Sequence, residues 1–331
     1  MDKKHFLALI LLYIPCLSFS QENELHYIQL AEYEYKSGNY RNALIHLDSA
    51  ARLSPADANI YLLEAKVYNA RDEKRKAISS YDVAIRYNPN SDKAYLERAK
   101  LRYEVGDHRD YSLKDMISAL AIKPDYAPYY IQYAYYLSKT DNALTGFPDT
   151  QLAIENTDKA ILLDPGNAAY YNLRGHYKYG AGERLDAILD FSRAIVLDST
   201  NAGYYHDRGL VSLVIEDYES AVYDFTKGLL YDPLNEDYLQ KRGHSKFNMG
   251  RYEEAVEDFS LTINTIYRKF TLLPGNIPPN HPLNKSLQRA YLFRGSALIQ
   301  LENTYEACQD FKVARSLGDH LAANYVSRFC Q

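Results

Sequence analysis

"RAIVLDSTNAGYYHDRGLVSLVIEDYESAVYDFTKGLLYDPLNEDYLQKRGHSKFNMGRYEEAVEDF", Arg193 to Phe259, states one pattern twice. Each half carries an Arg-Gly pair, Arg208-Gly209 then Arg242-Gly243. A turn ending in tyrosine follows, and then Ala-Val-x-Asp-Phe closes the half at 221–225 and 255–259. Apolar residues such as Ala187, Phe191 and Ala194, or Ala255, Phe259 and Ile263, recur at three- and four-residue steps, the spacing of one helix face. Glycines at 38, 106, 182 and 250 punctuate the pattern and split each unit into two helices.

The unit continues in both directions. Pro55 and Pro89 lie 34 residues apart, and Pro165 and Pro233 lie 68 apart, twice that step. Pro124 belongs to the same series, and Ser199 stands where one proline is skipped. A small residue follows ten positions after each: Ala65, Ala99, Ala134, Gly175, Gly209 and Gly243, with Ala31 and Gly295 in the end units. Another precedes each by twelve: Ala43, Ala77, Ser112, Ala153, Ala187 and Ala221, with Ala255 and Ala307 continuing the slot. Small residues at fixed slots let two helices approach closely, and a fixed period of this length marks units that bury their faces only against copies of themselves.

An aromatic opens each first helix, at Tyr27, Tyr61, Tyr95, Tyr130, Tyr171, Tyr205 and Tyr291, with Leu239 the exception; Tyr81, Phe191, Phe225, Phe259 and Phe311 fill a second aromatic slot. This order of aromatic, small residue, turn glycine, alanine, aromatic and proline resembles the tetratricopeptide repeat. Tyrosine takes the place of that family's usual tryptophan, in keeping with 33 Tyr and no Trp in the chain. The resemblance implies an all-α, right-handed superhelical solenoid of about eight helix hairpins over residues 21–331, closed by a capping helix in "DHLAANYVSRFCQ". Two departures interrupt the period, near 139–151 and 268–286. The second is rich in Pro and Asn and is not expected inside a helix. Each reads as a surface loop or an extended second helix, or as a loop that folds over the groove.

In this family the concave surface usually holds extended segments of partner proteins. The resemblance places that surface at first-helix positions one and five after the leading aromatic and just beyond, including Lys66, Asn69, Lys100, Tyr103, Tyr135, Asn172, His176, Tyr179, His206, Leu210, Gln240, His244 and Phe247. Only Lys66 and Lys100 among them are strongly charged.

Five repeats carry Arg just before the first small slot, at Arg98, Arg174, Arg208, Arg242 and Arg294; the same five carry Asp before the second aromatic slot, at Asp115, Asp190, Asp224, Asp258 and Asp310. Joint presence and joint absence predict an ion pair across each hairpin. A shared metal site is the other reading of the acids, and the repeat spacing sets them too far apart for one ion.

The N-terminus orders Lys3 and Lys4, an apolar run from Phe6 to Leu17, and small residues around Phe19, which reads as a signal peptide over 1–20 cut after Ser20. Cys16 could instead be a lipidation cysteine, but Pro15 precedes it where a small residue is expected. The mature chain contains Cys308 and Cys330, placed to face each other across the final hairpin as a disulfide, or else as two buried thiols.

A formal charge of -5, from 38 basic against 43 acidic residues, argues against phosphate-neutralising nucleic-acid binding. No later segment is apolar enough for a membrane span. No phosphate loop, His-Glu-x-x-His, Cys-x-x-Cys or nucleophile elbow occurs, so neither an enzyme nor a cofactor is expected. His176, His206 and His244 fall on successive first helices, but no carboxylate is seen to complete a metal site. The expectation is an exported, periplasmic or secreted scaffold with a protein or peptide partner and envelope association; the competing reading is an assembly or chaperone-like factor holding unfolded clients.

Overall fold

A computed structural model of the chain describes residues 23–107, 109–139, 149–271 and 281–330, which are helical or in short turns. The leader at 1–20 and Cys16 lie outside them. The packing gathers into two compact units, Met1–Asp164 and Pro165–Gln331. The first contains α1 (23–36), α2 (Tyr40–Leu53), α3 (Ala58–Ala70), α4 (Lys74–Tyr87), α5 (Asp92–Glu104), α6 (Arg109–Ile122), α7 (Ala127–Lys139) and α8 (Thr150–Leu163). The second contains α9 (Ala168–Gly180), α10 (Arg184–Leu197), α11 (Ala202–Val214), α12 (Tyr218–Tyr231), α13 (Glu236–Asn248), α14 (Tyr252–Thr271), α15 (Pro282–Gln300), α16 (Thr304–Ser316) and α17 (His320–Phe329). Within each unit successive helices pack on one another as hairpins.

The repeat slots account for the packing. Alanines 31, 43, 65, 77, 99, 134, 153, 187, 221, 255 and 307 are fully buried. Where the second aromatic is Phe the facing slot is Gly, because a Cβ on Gly175 or Gly295 would stand 2.7 Å from the ring of Phe191 or Phe311. The leading tyrosines have a further task that a phenyl ring does not share. Tyr61 and Tyr130 donate their hydroxyls to the carbonyls of Pro55 and Pro124 at 2.8 and 3.0 Å, and Tyr171 and Tyr205 to those of Pro165 and Ser199, both at 3.2 Å. Each of these rings packs and also satisfies the turn that enters its own helix. Two residues past that slot, Asp57, Asn167, Asn201 and Asn235 accept from the backbone N–H groups that open the following helix.

All five Arg-Asp pairs lie inside their own hairpins. Arg174, Arg208 and Arg242 each donate Nε to Oδ2 at 2.9 Å and Nη2 to Oδ1 at 2.5–2.6 Å of Asp190, Asp224 and Asp258. Arg98 to Asp115 and Arg294 to Asp310 repeat the geometry at 2.5–2.9 Å. The five carboxylates are 1–4% exposed. The third nitrogen ties neighbouring repeats together: Nη1 of Arg98, Arg208, Arg242 and Arg294 donates to Asp82, Ser192, Thr226 and Ser260 on the preceding second helix. A second cation one turn beyond the arginine joins three of the acids: Arg102 at Asp115, Lys178 at Asp190 and Lys246 at Asp258. Ser212 and Leu298 stand at that position beside Asp224 and Asp310, and there burial pushes both carboxyls up despite their arginines.

Two boundaries differ from expectation. Helix α14 runs through 268–271 and α15 begins at Pro282, so only 272–280 of the proline-rich insert lies outside the described residues. Proline at a first helical position loses no intrahelical bond, so it starts the helix where an interior proline would break it. Likewise α7 ends at Lys139 and α8 starts at Thr150, leaving 140–148 of the first insert outside the described residues. At the C-terminus α17 lays Tyr325 and Phe329 on Phe311, and a Cys308–Cys330 disulfide with a Cα–Cα distance of 5.4 Å pins it to α16.

Candidate functional site

In the first unit Lys66 and Asn69 lie exposed on α3, and Lys100 and Tyr103 lie one turn apart on α5. Lys100 is not a free groove cation, since its Nζ lies 2.7 Å from Glu97 one turn back on the same helix. The Tyr103 ring sits 4.8 Å from Tyr136 and 5.8 Å from Tyr135, forming an aromatic cluster that leaves Tyr135 partly open to solvent.

The second unit brings the expected histidines into one polar ladder. His176 Nε2 on α9 lies 2.9 Å from Asp207 Oδ2 on α11, and His206 Nε2 on α11 lies 2.9 Å from Asp237 Oδ2 on α13. The His206 Nδ1 is 3.5 Å from the other Asp207 oxygen, so histidines and carboxylates alternate across three first helices. The carboxylates missing from the sequence reading are therefore Asp207 and Asp237, each 31 residues beyond its histidine. That common offset, one helical turn short of the 34-residue period, was the signal that could have revealed them. Burial opposes charge on His206, but the hydrogen bonds and charges of Asp207 and Asp237 outweigh it and push the imidazole up to about 9. Burial likewise opposes charge on Asp207; bonds from His176, His206 and Asn172 overcome it and bring the carboxyl down to about 2. Asn172 thus enters as a ladder residue, and Tyr179 stands exposed at the end of α9.

His244 stands apart from the ladder. Its Nδ1 is 3.2 Å from Asn248 Nδ2 and its ring meets Phe293 edge-on at 5.1 Å. Burial and the Lys241 charge hold it below the ordinary histidine value. The ring of Phe247 meets Tyr252 and Phe293. Beside His244 a cleft of about 470 Å³ opens between α11, α13 and α15. Leu210, Leu213, Val214 and Phe293 supply apolar walls, and Glu216, Tyr218, Gln240, Lys241, His244 and Arg289 the polar ones. Leu210, Gln240 and His244 belong to the expected groove, whereas Lys241, Arg289 and Phe293 fall outside the slots that the repeat pattern marks. Gln240 is nearly buried and donates to the Ser286 carbonyl at 2.8 Å, fixing α13 to α15 at the cleft. Among the described residues no group of three or more His, Cys, Asp or Glu is arranged to hold a metal, and no helix is long and apolar enough to cross a membrane.

Comparison with known proteins agrees with the architecture. No family model matches the chain. A stretch of 99 residues, 30% of the chain, is 28% identical to the human DnaJ homolog subfamily C member 3, and the match spans 19% of that protein's length. The C-terminal part of a tetratricopeptide-repeat protein from Cytophaga hutchinsonii superimposes with a TM-score of 0.64 at 17% identity, covering 78% of this chain and 97% of that one. YrrB, described as a tetratricopeptide-repeat protein with an unusual peptide-binding site, gives a TM-score of 0.51 at 19% identity, covering 64% of this chain and 97% of its own. The chain has the tetratricopeptide-repeat fold.

Proposed function

We propose that the chain is an exported, non-enzymatic scaffold that holds an extended segment of a partner protein against the first helices of its repeats. The observation that carries this reading is the cleft between α11, α13 and α15, where apolar walls stand beside convergent polar groups. Its walls are held in advance: Arg208 and Arg242 staple the hairpins that supply α11 and α13, and Gln240 ties α13 to α15. A preformed groove spares a bound segment part of its ordering cost. That YrrB, of like fold, carries a peptide-binding site agrees with this use.

Export is supported by the leader-like order of residues 1–20 and by the Cys308–Cys330 bond, of a kind that persists in oxidising compartments. Affinity purification of the full tagged chain from its native envelope fraction tests both parts. One partner at stoichiometric recovery is the expected result. Many weakly held proteins would favour the client-holding alternative, and recovery of the chain only from the cytosol, with residues 1–20 intact, would overturn export.

A further inference from the structure

We propose that the cleft between α11, α13 and α15 takes an acidic internal segment of its partner, with side-chain carboxylates meeting Lys241 and Arg289 and an apolar side chain on the same face of the segment entering against Leu210, Val214 and Phe293. The proposal rests on the groove reading and adds the chemistry of what the groove accepts. Several cations of this unit are already committed to ion pairs: Arg208 and Arg242 to their aspartates, Lys178 and Lys246 to Asp190 and Asp258, and Arg251 to Glu254. Lys241 and Arg289 are different. Both line the cleft, and neither forms an ion pair among the described residues.

The nearby acids leave this charge largely uncancelled. Asp237 lies within the electrostatic reach of both cations, but its carboxylate is engaged by His206 at 2.9 Å. Glu216 is the one acidic wall residue, and burial and the Lys241 charge both disfavour the charged form of His244. Two cations against one carboxylate, beside apolar walls, form a locally positive spot on a chain whose formal charge is -5. A basic segment would meet both cations and gain one partner; an acidic one gains two. Geometry sets the spacing of the acids. Packed helices have axes about 8–10 Å apart, and an extended strand advances about 3.3 Å per residue. Alternate side chains of such a strand share one face and stand about 6.6 Å apart. Carboxylates at two alternate positions therefore reach Lys241 on α13 and Arg289 on α15, the long cationic side chains taking up the difference, and an apolar side chain at the next alternate position enters the same cleft.

The test uses the full chain and three fluorescein-labelled, C-terminally amidated peptides, with Glu-Ser-Glu-Ser-Leu, Gln-Ser-Gln-Ser-Leu or Lys-Ser-Lys-Ser-Leu at the centre of a Gly-Ser flank. Amidation removes the terminal carboxylate, so only side-chain acids can supply the charge. Fluorescence anisotropy is expected to rank Glu over Gln over Lys, with about tenfold or more between the extremes, falling as salt rises from about 50 to 500 mM. The K241E/R289E variant should invert the order, and K241Q/R289Q should flatten it. Equal binding of the three peptides, with hydrogen-exchange protection on α11, α13 and α15, would overturn the charge assignment and leave the groove reading standing. Failure of all three to bind would overturn both. Glu-peptide binding that survives K241E/R289E would likewise overturn the proposal.

Discussion

Arg208 grips Asp224 through two parallel hydrogen bonds, Nε to Oδ2 at 2.9 Å and Nη2 to Oδ1 at 2.6 Å, at a carboxylate that is 1% exposed. Removing one partner of such a pair strands a buried charge, at a cost of about 3–5 kcal/mol. Arg208→Met should therefore lower stability by that amount in urea denaturation. Arg242→Met should cost visibly less, because Lys246 still stands 2.9 Å from Asp258. Adding Asp224→Asn to Arg208→Met should restore part of the loss; equal losses for the two arginines would remove the role assigned to Lys246.

The His-Asp ladder predicts a pH window. His206 is raised in the folded chain to about 9 from 6.5, so its stabilising share is complete below about pH 6.5 and is lost as pH rises through 9. Asp207 is lowered to about 2 from 3.8, so its share is complete above about pH 3.8 and is lost as pH falls through 2. Both act fully between those limits. His206→Gln should destabilise the chain more at pH 6 than at pH 10 in matched urea titrations, and a pH-independent difference would contradict the ladder.

Much of this architecture was legible because the repeat writes the same physics several times. The alanine and glycine slots mark helix contacts in any copy, and the joint gain or loss of Arg and Asp exposed the staples before any distance was known. In the second unit, one of those lacking that pair, Ser80 donates to Glu64 at 2.7 Å from the same two positions, so the cross-hairpin tie persists there with other chemistry. The ladder was harder to read. Asp207 and Asp237 occur once each, at slots outside the repeat pattern, and join helices of different repeats. Arg289 and Phe293 escaped for a related reason: they stand two residues either side of the leading aromatic Tyr291, at the slots of Asp237 and Lys241, which the repeat pattern does not mark.

Three turn positions predict a gain in stability. Asp72, Glu216 and Glu302 hold φ of 60–63°, at the slot that Gly38, Gly106, Gly182 and Gly250 fill elsewhere with φ of 70–86°. A side chain in this left-handed region costs about 1–2 kcal/mol, partly offset by the greater freedom that glycine loses on folding. Asp72→Gly and Glu302→Gly should each stabilise the chain by about 0.5–1 kcal/mol, read as a shift of the denaturation midpoint with unchanged slope. Glu216→Gly should do the same while also removing the only acid from the cleft wall, so it should strengthen binding of the Glu-Ser-Glu-Ser-Leu peptide.

The terminal helix supplies the last prediction. Helix α17 has ten residues, too few to be stable alone, and among its residues only Ala322 is fully buried. Its hold on α16 comes from Tyr325 and Phe329 against Phe311 and from the Cys308–Cys330 bond, which closes a loop of 22 residues. In the chain-entropy account a loop of that size contributes about 3 kcal/mol. Reduction, or the Cys308→Ser/Cys330→Ser variant, should raise amide exchange across 320–329 and bring Phe311 toward solvent, while exchange in α11 and α13 stays unchanged. Protection of α17 that survives reduction would show that its aromatic contacts alone hold the cap.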